Sequence, residues 1–320
     1  MKETQRGSEQ NQLVSLNRAL EAIRTPVVVD FLTKHVPDFY ASISPGDEQA
    51  ARQLVIDSFD VLKETIKSLT PTVALTNAAE VIYKDIFKEE APDFWFTPIH
   101  HRYKTEGKPE RVIPVLAFHF KGNRVLDVGG GSGYLSMQLQ KAGYSSALTD
   151  ILDYRAEETQ SLPFKLMTSP TQLPYDDDQF DSAFFFEVLH HADDPHHIPL
   201  LTEAGRVAKR VIIIENVYGT MSHPLLRVDY EHEDPSPTAD YLAMLPEHQL
   251  KTLMLMDYYV NIASKGIIDM NIPFRFKTIG EWVSLFDTAG LEPVGITQIG
   301  FFRNTLNRNF QLYFTLDRKE

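Results

Sequence analysis

Cysteine is absent from the 320 residues of this chain, which excludes disulfides, thiolate metal sites and cysteine nucleophiles. No apolar run approaches the length of a membrane span, and the polar residues 1–12 lack the apolar core of a secretion signal. Basic residues are outnumbered: 31 Lys and Arg stand against 44 Asp and Glu, a net charge of −13. Because no basic cluster exceeds a few residues, a polyanionic nucleic acid is not expected as a partner. These absences together predict a cytoplasmic protein without a membrane or nucleic-acid partner.

A glycine-rich segment is the most informative feature that the chain does have. Residues 124–134 read RVLDVGGGSGY. The apolar run that leads into Asp127 predicts a buried parallel strand, and the following helix, predicted over residues 134–141, directs the positive end of its dipole at the loop. Glycines at alternate positions let the backbone turn sharply and let a ligand lie against main-chain N–H groups. These glycines are Gly129, Gly131 and Gly133.

A second strand is predicted over residues 145–149, and Asp150 stands at its end. A carboxylate at this place in a nucleotide-binding fold accepts two hydrogen bonds from a ribose diol. Asp150 is therefore predicted to bind a ribose. A turn aspartate or a helix cap is the alternative interpretation.

Three further motifs follow in order along the chain. Leu173-Pro174-Tyr175 and Phe180-Asp181 precede a fourth strand, predicted over residues 183–186, and the sequence Glu-Val-Leu-His-His follows that strand from Glu187. With the glycine loop, these motifs resemble the class I S-adenosylmethionine-dependent methyltransferases, in the form of a ubiquinone/menaquinone-type methyltransferase-like domain. The resemblance covers residues 115–216 and 278–317, and it implies an enzyme with S-adenosyl-L-methionine as its cofactor.

The resemblance also implies the fold class, which is α/β. It implies a Rossmann-like, seven-stranded, mostly parallel sheet with an antiparallel last strand, plus an N-terminal helical cap and a helical insert. Residues 1–110 show helical periodicity and are predicted to form the cap, with a possible role as a lid or in homodimerisation. Residues 111–320 are predicted to form the cofactor-binding domain, and residues 216–277 the substrate-binding insert within it.

The family pattern assigns cofactor contacts to further residues of this chain. Asp127, the three glycines and Asp150 match its cofactor-binding positions, and Glu187 ends the strand that flanks the reacting methyl group. Many relatives have an aspartate for the adenine amino group about where Ser169 stands, so that Ser169, Thr171, Gln172 or a backbone carbonyl would replace it. In several relatives a Tyr or Arg ahead of the first strand meets the cofactor's carboxylate, which implies Tyr103 or Arg102. A packed hinge is the alternative at that position.

Methyl transfer from a sulfonium is an in-line displacement, and the protein mainly has to align donor and acceptor. A general base is needed only where the acceptor carries a proton of high pKa. His190, and after it His191, is the predicted base because it follows the fourth strand; helix capping or packing is the alternative. A metal site built from neighbouring acids and histidines, Asp193, Asp194, His196 and His197 included, is not predicted, because adjacent histidines rarely converge on one ion.

The predicted insert is rich in aromatic residues and methionines, which suit a mostly apolar pocket with a few polar anchors. Tyr218, Tyr258 and Asn261 are its predicted substrate contacts, and an ordinary helical lid is the alternative. Together with the acidic balance, the insert predicts a small-molecule acceptor from specialised metabolism. Methylation of a protein or a nucleic acid is the second interpretation within the same class. Two functions of other kinds also fit these residues: an enzyme that releases methylthioadenosine by aminocarboxypropyl transfer or cyclisation, and a cofactor-binding subunit without catalysis.

Overall fold

The computed structural model describes residues 2–88, 91–267, 272–303 and 309–319. Contacts within the chain divide it into two compact units. The helical unit consists of Met1–Arg102, His232–Phe276 and Gly300–Phe310, and the sheet unit of Tyr103–Glu231, Lys277–Ile299 and Gln311–Glu320. The helical unit thus unites the N-terminal segment with most of the predicted insert, whereas the predicted division at residue 110 treats these two segments separately.

The α-helices of the described residues are, in chain order, α1 (Lys2–Ile23), α2 (Pro26–Ser42), α3 (Glu48–Glu64), α4 (Pro71–Val81), α5 (Phe96–Arg102), α6 (Lys108–His119), α7 (Tyr134–Lys141), α8 (Asp194–Val207), α9 (Pro235–Leu242), α10 (Pro246–Tyr258) and α11 (Ile279–Thr288). Helix α1 ends just before Pro26, which begins α2 because proline suits the first turn of a helix. Helix α10 continues into a π-helical turn, Tyr259–Ala263. No helix in the described ranges is long and apolar enough to span a membrane.

The sheet of the described residues has eight strands: β1 (Arg124–Val128), β2 (Ser145–Asp150), β3 (Phe164–Leu166), β4 (Phe180–Phe186), β5 (Ala208–Asn216), β6 (Leu226–Val228), β7 (Leu291–Gly300) and β8 (Gln311–Arg318). Their order is β3-β2-β1-β4-β5-β8-β7-β6. The first five strands pair in parallel, and β8 runs antiparallel to β5. The α/β fold class and its antiparallel last strand are therefore confirmed.

The sheet of the described residues has one strand more than the seven that the sequence predicts. Strand β6 lies at the edge of the sheet and pairs in parallel with β7, with Arg227 opposite Thr297. Its three residues are too few to show the alternation from which a strand is recognised, so only pairing with β7 reveals it.

The centre of the sheet is apolar on both faces because helices cover it. Phe184 and Phe185 of β4 and Ile212–Ile214 of β5 are fully buried. On one face α11 contributes Trp282 and Phe286, whose stacked rings have centroids 5.9 Å apart. This core aligns the carboxyl ends of β1, β2, β4 and β5 along one edge, where parallel folds of this kind bind ligands.

The helical unit has its own aromatic core. Phe59 of α3 stacks on Tyr259, with ring centroids 4.7 Å apart, and the hydroxyl of Ser58 lies 2.8 Å from that of Tyr259. These contacts bind the N-terminal helices to the helices of the predicted insert, which is why the two segments form one unit.

Candidate active site

The glycine loop after β1 turns through three left-handed residues. Gly129, Gly131 and Gly133 have φ angles of 75°, 51° and 79°. A Cβ atom at Gly129 would lie 2.7 Å from the methyl groups of Val188, whereas one at Gly131 would meet nothing within 4 Å. Gly129 is thus required by packing inside the protein, and Gly131 faces open space at the start of α7.

Asp127, near the end of β1, lies against this loop and is only 2% exposed. Its Oδ2 accepts a hydrogen bond of 2.9 Å from the hydroxyl of Ser136, which itself accepts one of 3.1 Å from Ser146. Burial raises the pKa of Asp127 to about 7, against the smaller opposing effect of the Ser136 hydrogen bond. Asp127 therefore joins β1, β2 and α7 beside the loop.

Asp150, at the end of β2, holds the loop from the neighbouring strand. Its Oδ2 accepts a hydrogen bond of 3.1 Å from the Gly131 N–H, and its Oδ1 accepts one of 2.7 Å from the Ile151 N–H. Burial raises its pKa, while these backbone hydrogen bonds lower it. The next residue, Ile151, is 53% exposed, so an exposed apolar side chain lies beside the carboxylate.

The end of β4 has an unusual backbone. Glu187 adopts a φ of 58°, which is uncommon for a residue with a side chain and is often found at functional sites. Its Oε1 accepts a hydrogen bond of 2.8 Å from the side-chain amide of Gln311 in β8. The Lys108 Nζ atom lies 4.4 Å from the centroid of the neighbouring Phe186 ring. The carboxylate that the sequence assigns to the cofactor is therefore held by β8.

His190 forms a buried pair with Glu215, the penultimate residue of β5. The His190 Nδ1 atom lies 2.7 Å from the Glu215 Oε2, and the two side chains are 2% and 0% exposed. The other carboxylate oxygen accepts a hydrogen bond of 2.7 Å from the Leu189 N–H. A carboxylate that holds Nδ1 fixes the orientation and the tautomer of an imidazole.

Glu215 does not figure among the predicted site residues. A signal was present, because an acid that follows four consecutive apolar residues, Val211–Ile214, must be paired when its strand is buried. The identity of its partner depends on how β4 and β5 align. His191 adjoins the pair, with its ring centroid 4.1 Å from that of His190.

The remaining predicted cofactor residues of the sheet unit lie in short turns. The Ser169 hydroxyl lies 3.1 Å from that of Thr171, and Ser169 forms a bridge with Gln172 just after β3. Tyr103 is 7% exposed and packs beside Gly107, where a Cβ would lie 3.3 Å from its ring.

Two of the three predicted substrate residues belong to the helical unit. The Tyr258 hydroxyl donates a hydrogen bond of 3.2 Å to the Leu75 carbonyl, and the Asn261 amide donates one of 2.8 Å to Asp257. Tyr258 is 1% exposed and contributes to the core of that unit. Tyr218 belongs to the sheet unit, where burial raises its pKa. The substrate role of all three stays a prediction.

Part of the chain matches a family of known proteins. Residues 100–225 match the family model described as a methyltransferase domain. The tRNA U34 carboxymethyltransferase of Alcanivorax borkumensis is 27% identical over 146 residues, which cover 41% of this chain and 45% of that protein. The enzyme of the same name from Psychrobacter arcticus is 28% identical over 152 residues, covering 39% and 42%. The chain thus spans less than half the length of these curated relatives.

Solved structures that are similar to this chain share less of its sequence. Magnesium protoporphyrin IX methyltransferase from Synechocystis PCC 6803, with bound S-adenosylhomocysteine, has a TM-score of 0.42 and 15% identity, covering 67% of this chain and 84% of that chain. The Burkholderia thailandensis 1,6-didemethyltoxoflavin-N1-methyltransferase has a TM-score of 0.42 and 14% identity, covering 76% and 90%.

The relatives overturn one prediction. A small-molecule substrate without a nucleic-acid partner was expected from the acidic balance, yet the curated relatives are named for a tRNA. The expectation is wrong because it rests on the net charge, which is a sum over the whole chain and does not report the local field around a site.

Proposed function

We propose that this chain, which carries a class I S-adenosylmethionine-dependent methyltransferase domain over residues 100–225, uses that cofactor to alkylate a base of an RNA. The observation that carries the proposal is the match to that domain together with the name of the curated relatives, which act on a tRNA uridine. Those relatives are named for carboxymethyl transfer. We propose methyl transfer here, and the product distinguishes the two.

The residues of the sheet unit suit the cofactor. Open space in front of Gly131 leaves room for a ligand against the loop, and the N-terminus of α7 favours the negative end of such a ligand. Asp150 would accept hydrogen bonds from the ribose hydroxyls, and the exposed Ile151 would pack on the adenine. Ser169 or Gln172 would meet the adenine edge, and Tyr103 the carboxylate. When bound, S-adenosylmethionine supplies an electrophilic methyl group on a sulfonium sulfur.

His190 is the proposed base for an acceptor that carries a proton. With its Nδ1–H donated to Glu215, the imidazole keeps a lone pair on Nε2. As the acceptor took the methyl group, its proton would pass to Nε2 of His190, and the electron pair of the broken carbon–sulfur bond would stay on the departing sulfur. Glu215 then stabilises the imidazolium that results.

Positive charge for phosphate contacts has to be local in an acidic protein. Lys104, Lys108 and Arg111 follow one another in the segment ahead of β1, within the sheet unit. We propose that this segment contacts the RNA backbone, because phosphate contacts position an RNA while base contacts specify the site.

The test is incubation of the full chain with S-adenosylmethionine and unmodified transfer RNA, followed by mass spectrometry of the digested nucleosides. A nucleoside heavier by one methylene, with S-adenosylhomocysteine as coproduct, is expected. A parallel incubation uses a donor with a carboxymethyl group in place of the methyl group of S-adenosylmethionine, and a carboxymethylated nucleoside there would move the function to that of the relatives. Methylthioadenosine from S-adenosylmethionine would move it to transfer or cyclisation of the aminocarboxypropyl arm. Cofactor binding without any product would favour the subunit without catalysis.

A further inference from the structure

Three buried polar side chains stand together where β5 meets β8. Asn216, Gln311 and Tyr313 are each 0% exposed. Asn216 lies directly opposite Gln311 in the antiparallel pair, and Tyr313 lies opposite Ile214. Residues that face each other across a pair, or that stand two apart on one strand, share a face of the sheet. The three side chains therefore form one polar group, here called the amide site.

Four polar atoms of the amide site have no hydrogen-bond partner among the described residues. They are Nδ2 and Oδ1 of Asn216, Oε1 of Gln311 and the hydroxyl oxygen of Tyr313. Buried polar groups are nearly always paired, because leaving them unpaired costs free energy. Several such atoms on three adjacent residues are therefore a feature that calls for a ligand of matching polarity.

The donor and acceptor pattern of the amide site is largely determined. Gln311 donates its Nε2 hydrogen to Glu187, over 2.8 Å, so its Oε1 is held as an acceptor. Burial raises the pKa of Tyr313, and the charges of Glu187 and Asp229 raise it further, so the hydroxyl stays protonated and can donate. Asn216 offers one donor group and one acceptor. The site thus combines fixed acceptor and donor atoms without a net charge of its own.

The amide site is next to one predicted cofactor residue, because Gln311 is bonded to Glu187 at the end of β4. Asn216 follows Glu215, the partner of His190, along β5, so these two side chains point to opposite faces of the sheet. Its other neighbour is His119 of α6, whose ring centroid lies 5.5 Å from that of Tyr313. Burial lowers the pKa of His119 to about 4, so the ring adds no charge at neutral pH.

We propose that Asn216, Gln311 and Tyr313 recognise the imide edge of a uracil ring, which would be the acceptor base; this rests on the proposed function. An imide edge presents one N–H between two carbonyl oxygens. The Gln311 Oε1 accepts that N–H, while the Asn216 amide and the Tyr313 hydroxyl donate to the carbonyls. A cytosine ring presents a bare nitrogen in place of the N–H, which leaves Oε1 facing another acceptor.

The test uses nucleosides as probes and the full chain with S-adenosylhomocysteine present. Binding of uridine, cytidine and 3-methyluridine is measured by ligand-observed NMR. Uridine is expected to bind at least about tenfold more tightly than the other two, which is the usual discrimination of a good base contact. Asn216→Leu and Gln311→Leu are expected to weaken uridine binding by about the same factor. Asn216→Leu, whose side chain bonds to no other described residue, is also expected to leave the melting temperature and the affinity for S-adenosylhomocysteine unchanged.

Tyr313→Phe, which removes a single hydroxyl, gives a second and milder variant in case a leucine disturbs the fold. Thr315→Val is the matched control, because Thr315 stands on the same strand and face but its hydroxyl pairs with His119. The proposal would be overturned if the three variants left the affinity for uridine unchanged, or if 3-methyluridine bound as tightly as uridine. Absence of uridine binding to the unaltered protein, or variants that only lower the melting temperature, would overturn it too.

The outcome is separable from that of the proposed function. Uridine binding without transfer to any RNA would support the role of the amide site and contradict the proposed function. RNA alkylation at an adenine, with no uridine binding, would do the reverse.

Discussion

Gly129 and Gly131 share a left-handed backbone but differ in what surrounds them. The Cβ of any residue at position 129 collides with Val188, whereas position 131 faces open space. A side chain at either position carries the backbone cost of a positive φ, which is about 1–2 kcal/mol. A side chain at position 129 adds the cost of overpacking against Val188, which is about 1–3 kcal/mol.

Gly131→Val is accordingly expected to weaken S-adenosylmethionine binding by at least about tenfold with a small loss of stability, because its side chain occupies the ligand's space. Gly129→Val is expected to lower the melting temperature more. Titration calorimetry and thermal unfolding of both variants check this. Unchanged cofactor affinity in Gly131→Val would contradict the assignment of the loop.

The negative charge of Asp150 is expected to strengthen the binding of the cofactor. Asp150→Asn keeps the side chain's size and removes its charge, and a hydrogen bond to a charged group contributes about 1.5–3 kcal/mol. The affinity for S-adenosylhomocysteine is therefore expected to fall by about 10- to 100-fold. Asp153→Asn is the control, since that carboxylate pairs with Arg155 instead. Equal effects of the two substitutions would remove the ribose role.

Asp127 makes the stability of the protein depend on pH. Because its pKa is raised to about 7 by burial, the folded state binds a proton that the unfolded state releases near pH 4. Its contribution is fully present below about pH 4 and is lost as the pH rises through 7. Asp127→Asn is expected to flatten this decline between pH 5 and about 8. Denaturant unfolding across that range measures it, and equal slopes for both proteins would contradict the expectation.

At the scale of elements, helix α11 is stabilised by a capping box at its start. The Thr278 hydroxyl accepts from the Glu281 N–H over 3.3 Å, and the Glu281 carboxylate accepts from the Thr278 N–H over 2.8 Å. These bonds satisfy two of the backbone N–H groups that a helix leaves unpaired at its N-terminus.

Thr278→Ala is expected to reduce the free energy of unfolding by about 1 kcal/mol, the typical cost of losing such a cap. Thr288→Ala, at the other end of the same helix, is the control because its hydroxyl donates to the Ser284 carbonyl within the helix and caps no backbone N–H group among the described residues. Urea unfolding measures both. A control variant as destabilised as Thr278→Ala would show that the cap itself contributes nothing.

At the scale of the whole molecule, the α/β fold class that the sequence predicts is confirmed, and residues 100–225 match a methyltransferase domain, as the resemblance implies. The ubiquinone/menaquinone-type subtype stays a prediction. The exclusion of nucleic acid is wrong, and the roles of individual site residues stay predictions. The predicted homodimer of the N-terminal helices also stays a prediction.

Cofactor binding should stabilise the whole protein by mass action. A ligand present at about 100 times its Kd adds about 2.7 kcal/mol to the free energy of unfolding. S-adenosylhomocysteine is therefore expected to raise the melting temperature of the unaltered chain in differential scanning calorimetry. The same concentration of S-adenosylhomocysteine is expected to raise the melting temperature of Gly131→Val far less. An equal rise in both proteins would mean that the ligand binds away from Gly131.

The sequence alone determined the features that depend on neighbours in the chain. The alternate glycines, Asp127 and Asp150 could be placed in the loop and near the strand ends because a strand, a tight loop and a helix follow one another within a few residues, and backbone sterics act over that range. The tertiary structure decided which distant groups meet. Glu215 pairs with His190 and Gln311 with Glu187 only because the sheet places β5 between β4 and β8. Strand order and register set those pairings, and both arise from the packing of the whole sheet.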